Sequence, residues 1–314
     1  MIFDIIFGKS FGKVHCPFHE GDDTASLNIA ADGRWHCFAC GAGGPSEISF
    51  AQQYYGIAKT SATRLIEKLN DLPKYKYDPV LAESDIKYLT SIGISKEVQS
   101  KMMRSASGKL IYPHNYKGVT IDHTWFNYPG SITYSDKHGK YNRDHGSVSG
   151  FLTPYKLMDK ETIIIVEGEK DMLTMLSNKI PAVSIVGGVN TLPYMMQREL
   201  KDKNVVIIYD CDDAGREGAL NLVHWLYSIG AKSVKNVDLG LGNKEDINDW
   251  FVKYGMGREA LIKLINATPI AENVAVGSLK VYRMYRQITK QLSTEEQEEL
   301  KILLNKEATE DGDK

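Results

Sequence analysis

Two short knuckles constrain this chain more than anything else in it. They are Cys16-Pro17-Phe18-His19 and Cys37-Phe38-Ala39-Cys40, with seventeen residues between them. A two-residue gap puts both members of a pair on one tight turn, and two such turns supply the four tetrahedral ligands of a closed zinc site. The stretch LNIAADGRWHC between them is expected as a β-hairpin with Asp32-Gly33 as its turn. Gly41, just after the second knuckle, suits a turn on which backbone amides approach a cysteine sulfur. Cys211 stands apart from the other three cysteines, so the pattern is a metal site plus a spare thiol, not a disulfide framework. His15 and His36 each abut a ligand cysteine. They are expected at the surface, because adjacent strand residues point opposite ways. Arg34, Trp35 and His36 offer a cation, a stacking plane and a hydrogen-bond donor, the set that single-stranded bases require.

From residue 161 the pattern changes. ETIIIVEG, PAVSIVGG, KNVVIIYD and SVKNVDLG are short apolar strands separated by helical stretches, which implies βαβ units and a parallel sheet. Glu167 follows the first strand, Asp210 and Asp212 follow the third, and Lys244, Glu245, Asp246 and Asp249 follow the fourth. Open parallel sheets bind ligands at the carboxyl ends of their strands. Acidic turns gathered there repel one another unless a divalent cation neutralises them, and hard oxygen ligands suit Mg²⁺ or Mn²⁺. Helix capping accounts for Asp213 and is one reading of Asp171, but does not account for Glu167, Asp210 and Asp212 together. Gly187-Gly188 forms a further turn at this edge, whose N–H groups would suit a phosphate. Cys211 is expected as a buried strand-end residue, since aspartates outcompete a thiol for Mg²⁺.

The net charge of −2 hides an asymmetry: residues 101–160 carry nine Lys/Arg against four Asp/Glu, and residues 161–250 nine against fourteen. A segment suited to phosphates precedes one suited to metal ions. No run of eighteen apolar residues occurs, so no membrane span is expected, and MIFDIIFG reads as a short strand or helix, not a signal peptide. Gly8-Lys9-Ser10 lacks the earlier glycine of a phosphate-binding loop, and no other Walker sequence, hence no helicase motor, is present. The organisation expected is a cysteine-bearing unit over 1–58, a linker over 59–79 that holds a helical stretch (SATRLIEKLND) before the proline-punctuated LPKYKYDP, and a basic subdomain over 80–160. A parallel-sheet domain over 161–272 and a helical, charged tail over 273–314 follow. Helices are expected around SDIKYLTSIG and SKEVQSKMM, then an antiparallel sheet of short strands.

CPFHEGDDTASLNI with CFACGAGG resembles the zinc-binding domain of bacterial-type DNA primases, which implies Zn²⁺ on Cys16, His19, Cys37 and Cys40. EGEKDMLTML and DCDDAGREGA resemble the Toprim fold in its primase version, above all that of phage primase–helicases. The resemblance implies a catalytic metal on Glu167, Asp210, Asp212 and Asp246, with Asp249 the alternative to Asp246. It also implies nucleotide or template roles for Asp171, Arg216 and Lys244. More weakly, YLTSIGISKEVQSKM, GKLIYPHNYKG and HGKYNRDHG resemble the basic subdomain of these primases. That match puts the functional lysine at Lys140, with Arg143 nearby, and leaves Lys109, Lys117 and Lys137 as candidates for a second nucleotide-gripping cation.

The fold class expected is α/β: a small β zinc ribbon, a mixed α+β basic subdomain and a Toprim parallel-sheet domain, with a short helical tail. The activity implied is primer synthesis from ribonucleoside triphosphates on single-stranded DNA, in the cytoplasm of a bacterial or phage-infected cell. A separate replicative helicase is the implied partner. A non-catalytic zinc/Toprim recombination-repair mediator would be shorter and lack the basic segment. A Toprim nuclease gives no role to the ribbon, and a topoisomerase needs gate domains for which there is no room.

Overall fold

The computed structural model describes residues 2–19, 21–70, 80–105, 107–116, 119–131, 133–137, 139, 141–142, 151–152, 159–185 and 197–272. It divides at Ala271, and residues 1–271 form one unit. The tail expected over 273–314 lies outside the described residues, as do 71–79, Lys117, Lys140, Arg143 and Gly187-Gly188.

The chain opens with helix α1 (Ile2–Phe7) and a four-stranded antiparallel sheet in sequential order, β1 (Gly12–Val14), β2 (Leu27–Ile29), β3 (Trp35–Cys37) and β4 (Gly43–Gly44). The expected hairpin is β2–β3, with Leu27 opposite Cys37, and Gly33 takes the positive φ of its turn. Helix α2 (Glu47–Tyr55) is closed at its start by Ser46 and at its end by left-handed Gly56. Its Phe50 lies at the centre of an aromatic cluster with Phe3, Phe7, Phe18, Trp35 and Tyr54. Helix α3 (Lys59–Asn70) is the helical stretch expected within the 59–79 segment, and its Ala62, Leu65, Ile66 and Leu69 are buried in the same core. Its apolar positions recur at helical spacing, so the segment packs instead of spanning a gap.

Helices α4 (Glu83–Ser91) and α5 (Lys96–Gln99) match the expected helical pair. An antiparallel sheet follows, β5 (Met103–Arg104), β6 (Leu110–Tyr116), β7 (Val119–Phe126) and β8 (Tyr141–Asn142), again in sequential order. The third sheet is mostly parallel. Its strands are β9 (Phe151–Leu152), β10 (Thr162–Val166), β11 (Val183–Ile185), β12 (Asn204–Ile208) and β13 (Ser233–Asn236), in the order β13-β12-β10-β11-β9, with only β9 antiparallel. Alternation along β10 sends Ile163 and Ile165 into one core and Val166 into the other, so both faces are covered, as parallel sheets require. Each such fully buried side chain contributes about 1.5–3 kcal/mol. Helix α6 (Glu169–Ser177) covers the face of Val166, and helix α7 (Asp213–Ser228) covers the face of Ile163; helix α8 (Arg258–Ala267) joins α6.

This topology positions the site. From β10 the chain crosses to β11 on one side, and later returns to β12 on the other. The order reverses between two adjacent parallel strands, and ligands bind in the crevice at such a switch point. Glu167 and Asp210 stand at the carboxyl ends of these two strands, Val166 being paired with Ile208.

Candidate zinc and carboxylate sites

The four knuckle ligands converge. Their donor atoms lie within 4.8 Å of one another, and among the described residues no other group of three or more potential ligands does so. Cys16 Sγ is 3.8 Å from Cys40 Sγ, and Cys37 Sγ is 3.4 Å from His19 Nε2. Tetrahedral zinc with Zn–S near 2.3 Å requires sulfurs about 3.8 Å apart, so the donors fit that ion. The backbone prepares the thiolates. N–H groups of Ala39 and Cys40 both donate to Cys37 Sγ at 3.4 Å. Burial pushes this thiol up, but these amides and the Ser26 hydroxyl outweigh it and hold it down at about 6. Cys16 is pushed by burial to about 12, with only the Phe18 amide opposing, so the metal has to drive its deprotonation. Gly41 sends its N–H to Cys37 O instead of a sulfur, and supplies the positive φ that ends the knuckle.

The expected template-reading trio divides. Arg34 and His36 are exposed, Arg34 paired with Asp32 at 2.7 Å. His15 is exposed as well, its Nδ1 on Asp22 O. Trp35 is not at the surface: it is 3% exposed, stacks on Phe18 and donates its indole N–H to Ser49 at 3.1 Å. The reason is alternation, since Trp35 shares a strand face with Cys37, which must point to the metal and core. An exposed aromatic does lie beside His36: Phe38 is 72% exposed, with its ring edge-on to that imidazole. The signal for it was its place between two ligands of a knuckle, where a side chain faces away from the metal.

At the switch point, Glu167 Oε2 accepts the N–H of Asp210 at 3.2 Å. Gly215 makes this approach possible: a Cβ there would lie 2.4 Å from Asp210 O and 3.0 Å from Glu167 Oε2. Asp212, not Asp213, is the cap of α7, accepting the Gly215 N–H through Oδ1 at 2.7 Å. Capping and a place at the acidic edge thus coincide in one side chain, and Oδ2 of Asp212 has no partner among the described residues. The Asp210 carboxylate has no hydrogen-bond partner among the described residues. Burial, then Glu167, Asp246 and Asp212, push it up to about 7. Glu167 is raised by burial and by Asp212. Cys211 is buried as expected.

Asp171 was expected to meet nucleotide or template, but it is 5% exposed and reaches back to the Gly168 N–H at 3.1 Å, the helix-start reading. Its Oδ1 has no partner among the described residues, and burial, with Asp246 and Asp210 nearby, pushes it to about 8. The third acidic turn is fixed by Asp246: Lys170 Nζ donates to Oδ2 at 2.5 Å, while Oδ1 accepts from Asn248 N at 2.8 Å and Asp249 N at 3.0 Å. Asp249 points back to Asp246 N at 3.2 Å, so Asp246 is the one aimed at the cluster. Burial pulls Lys170 down, but Asp246, together with Asp171 and Asp249, raises it and keeps it charged. Nothing in the sequence signalled this lysine. Lys244 is exposed with positive φ, Arg216 faces Asp238 at 3.8 Å, and Lys137 is exposed. Lys109 Nζ sits 3.6 Å over the Trp125 ring, held inward by the aromatic face.

Residues 7–77 match the CHC2 zinc finger family and residues 164–251 the Toprim-like family. No curated protein matches the chain in sequence. Among solved structures, the chain is similar to the zinc-binding and RNA polymerase domains of the Aquifex aeolicus primase, at 21% identity and TM-score 0.51, over 82% of this chain and 79% of that one. The primase fragment of the bacteriophage T7 primase-helicase protein is 16% identical, over 81% of this chain and 99% of that one, with TM-score 0.44. The E. coli primase catalytic core is 15% identical over 78% and 82%, with TM-score 0.46. The two domain matches and the Aquifex fold agree with the resemblance to bacterial and phage primases read from the motifs. Among the described residues no helix is long and apolar enough to cross a membrane.

Proposed function

We propose that this chain, which carries a CHC2 zinc finger and a Toprim-like domain in the order found in bacterial-type primases, is a DNA primase that joins ribonucleotides on a single-stranded DNA template. The observation that carries the reading is the pairing, in one chain, of a preformed Cys₃His site with carboxylates at a sheet switch point. The donor chemistry fits a hard divalent ion at that edge, because Asp210, Oε1 of Glu167 and Oδ2 of Asp212 are acidic oxygens left without hydrogen bonds among the described residues. These residues would hold Mg²⁺ or Mn²⁺, which would supply charge against a triphosphate and lower the pKa of an attacking hydroxyl.

This chain's own residues do the rest. Glu167 holds the Asp210 backbone in place and accepts the proton of the 3′-hydroxyl as that oxygen bonds the α-phosphorus of the incoming triphosphate and pyrophosphate leaves. Arg216 and Lys244, with Lys137, Lys140 and Arg143 of the basic segment, neutralise phosphates. On the ribbon, Arg34, His36 and Phe38 form an outward set that grips and stacks template bases. A separate replicative helicase is the partner this reading requires.

The test is synthesis of short labelled products from ribonucleoside triphosphates on a single-stranded template library with Mg²⁺ or Mn²⁺. Asp210→Asn should abolish products while zinc content stays unchanged. Products that persist in that variant would remove Asp210 from the chemistry, and absence of products with every template and metal would remove the primase reading.

A further inference from the structure

The acidic edge contains its own cation. Lys170 lies one residue before Asp171 on α6, and its ammonium meets Asp246 Oδ2 at 2.5 Å with the two side chains only 19% and 13% exposed. The contact is braced. One helical turn along α6, Thr174 Oγ1 accepts from Asn248 Nδ2 at 2.8 Å, and the same Asn248 amide donates to Ile92 O at 2.8 Å. Lys170 and Thr174 therefore form one stripe of α6 that fixes the whole 246–248 turn.

Hydrogen bonding separates the carboxylates of this edge into two kinds. Asp246 is fully engaged, Oδ2 by the ammonium and Oδ1 by two backbone N–H groups. Asp210 has both oxygens free among the described residues, and Glu167 and Asp212 each keep one oxygen free beyond a single N–H contact. A divalent ion needs oxygens with lone pairs to give, and displacing a buried, hydrogen-bonded ammonium from its carboxylate is costly.

On this basis, and resting on the metal-site reading above, we infer that Lys170 is a positioning residue. It acts as an internal cation that keeps Asp246 out of metal coordination, so that the edge takes a single divalent ion on Glu167, Asp210 and Asp212. Where a chain without this lysine would bring a second ion to the third acidic turn, here an ammonium fixed to the helix supplies that charge.

The experiment is a Mn²⁺ titration of the full, zinc-loaded chain, counting bound ions by electron paramagnetic resonance, with no substrate present. Wild type should bind one Mn²⁺. Lys170→Met should bind two, because Asp246 is released, and Lys170→Arg should return the count to one. Asp246→Asn should leave the single ion in place, which decides the matter even if Lys170→Met does not fold. An unchanged count in folded Lys170→Met, or loss of the ion in Asp246→Asn, would overturn the role of Lys170 and leave the metal site standing. No Mn²⁺ bound by any variant would overturn both.

Discussion

The zinc ribbon and the acidic edge both gather side chains of the kind that bind cations, yet the chain prepares them in opposite ways. At the ribbon, two turns bring four donors within 4.8 Å, and amides aimed at Cys37 stabilise its thiolate in advance. At the edge, three acidic turns meet without that convergence, and the carboxylates push one another's protons on instead of off. The first site is complete except for its ion and belongs to the fold. The second is held in tension, which suits an ion and a substrate that come and go.

If that contrast is right, removing a ribbon ligand should have the largest effect of any single change. Cys37→Ser takes away the thiolate that accepts two amides and lies beside His19 and Cys16. Structural zinc contributes roughly 10–16 kcal/mol of apparent binding free energy, so the unit around Phe50 should lose its cooperative unfolding transition. Zinc content and near-ultraviolet circular dichroism check this; a variant that keeps both would show that the aromatic core, not the metal, organises the ribbon.

The edge should respond to pH in the opposite sense to an ordinary salt-bridged carboxylate. Asp171 and Asp210 bind protons more tightly folded than unfolded, so between about pH 4 and their values of about 8 and 7 the native state holds protons that the unfolded state lacks. Stability without divalent ions should therefore fall as pH rises through this window. The fall should reach a few kcal/mol, carried mainly by buried Asp171 because solvent screens the half-exposed Asp210, with each tenfold difference in proton affinity worth about 1.36 kcal/mol. Mn²⁺ should restore the stability near pH 8, and Asp171→Asn should flatten the profile. Denaturant titrations at pH 5 and pH 8 measure both, and a flat wild-type profile would deny the tension at this edge.

The sequence disclosed these two sites unequally, for physical reasons. Ribbon ligands are close in the chain and their chemistry demands fixed spacing, so Cys16, His19, Cys37 and Cys40 could be read directly, as could the Asp32-Gly33 turn. Strand-end acids were legible because short apolar runs mark the strands that carry Glu167 and Asp210. What stayed hidden was contact across long separations. The Lys170–Asp246 pair spans 76 residues, and nothing in either segment's pattern requires it. The packing of α3 was hidden too, because a short helix beside a proline-punctuated stretch suits a spacer as well as a core element. Trp35 was different: the alternation that placed His36 outward also places Trp35 inward, so its burial was readable from the position of Cys37.

A smaller and more local change tests how closely the edge is fitted. In Gly215→Ala the new Cβ would collide with Asp210 O, a backbone atom with little freedom to yield. The expected cost is about 1–3 kcal/mol of stability. On the proposed primase reading, displacement of Asp210 should also lower primer synthesis by roughly 10²-fold, the scale set by misplacing a reacting group by about an ångström. Zinc content should not change. Equal loss of zinc would mean that the two sites are coupled through the shared core and not independently built.

The finest discrimination lies within the ribbon, between a buried aromatic residue, Trp35, and an exposed one, Phe38. Trp35→Ala removes a ring packed on Phe18 and Phe50 and should cost about 3–5 kcal/mol, with any loss of template binding following from unfolding. Phe38→Ala removes a ring that is mostly in solvent, so its stability should stay within about 0.5 kcal/mol of wild type. If Phe38 stacks on a template base, its loss should weaken single-stranded DNA binding by about 1–3 kcal/mol, that is, roughly 5- to 150-fold in Kd. Fluorescence anisotropy with labelled oligonucleotides, alongside thermal melts, separates the two outcomes. Unchanged affinity in Phe38→Ala would confine recognition within this outward set to Arg34 and His36, and make the Phe38 ring a surface feature without a role in template reading.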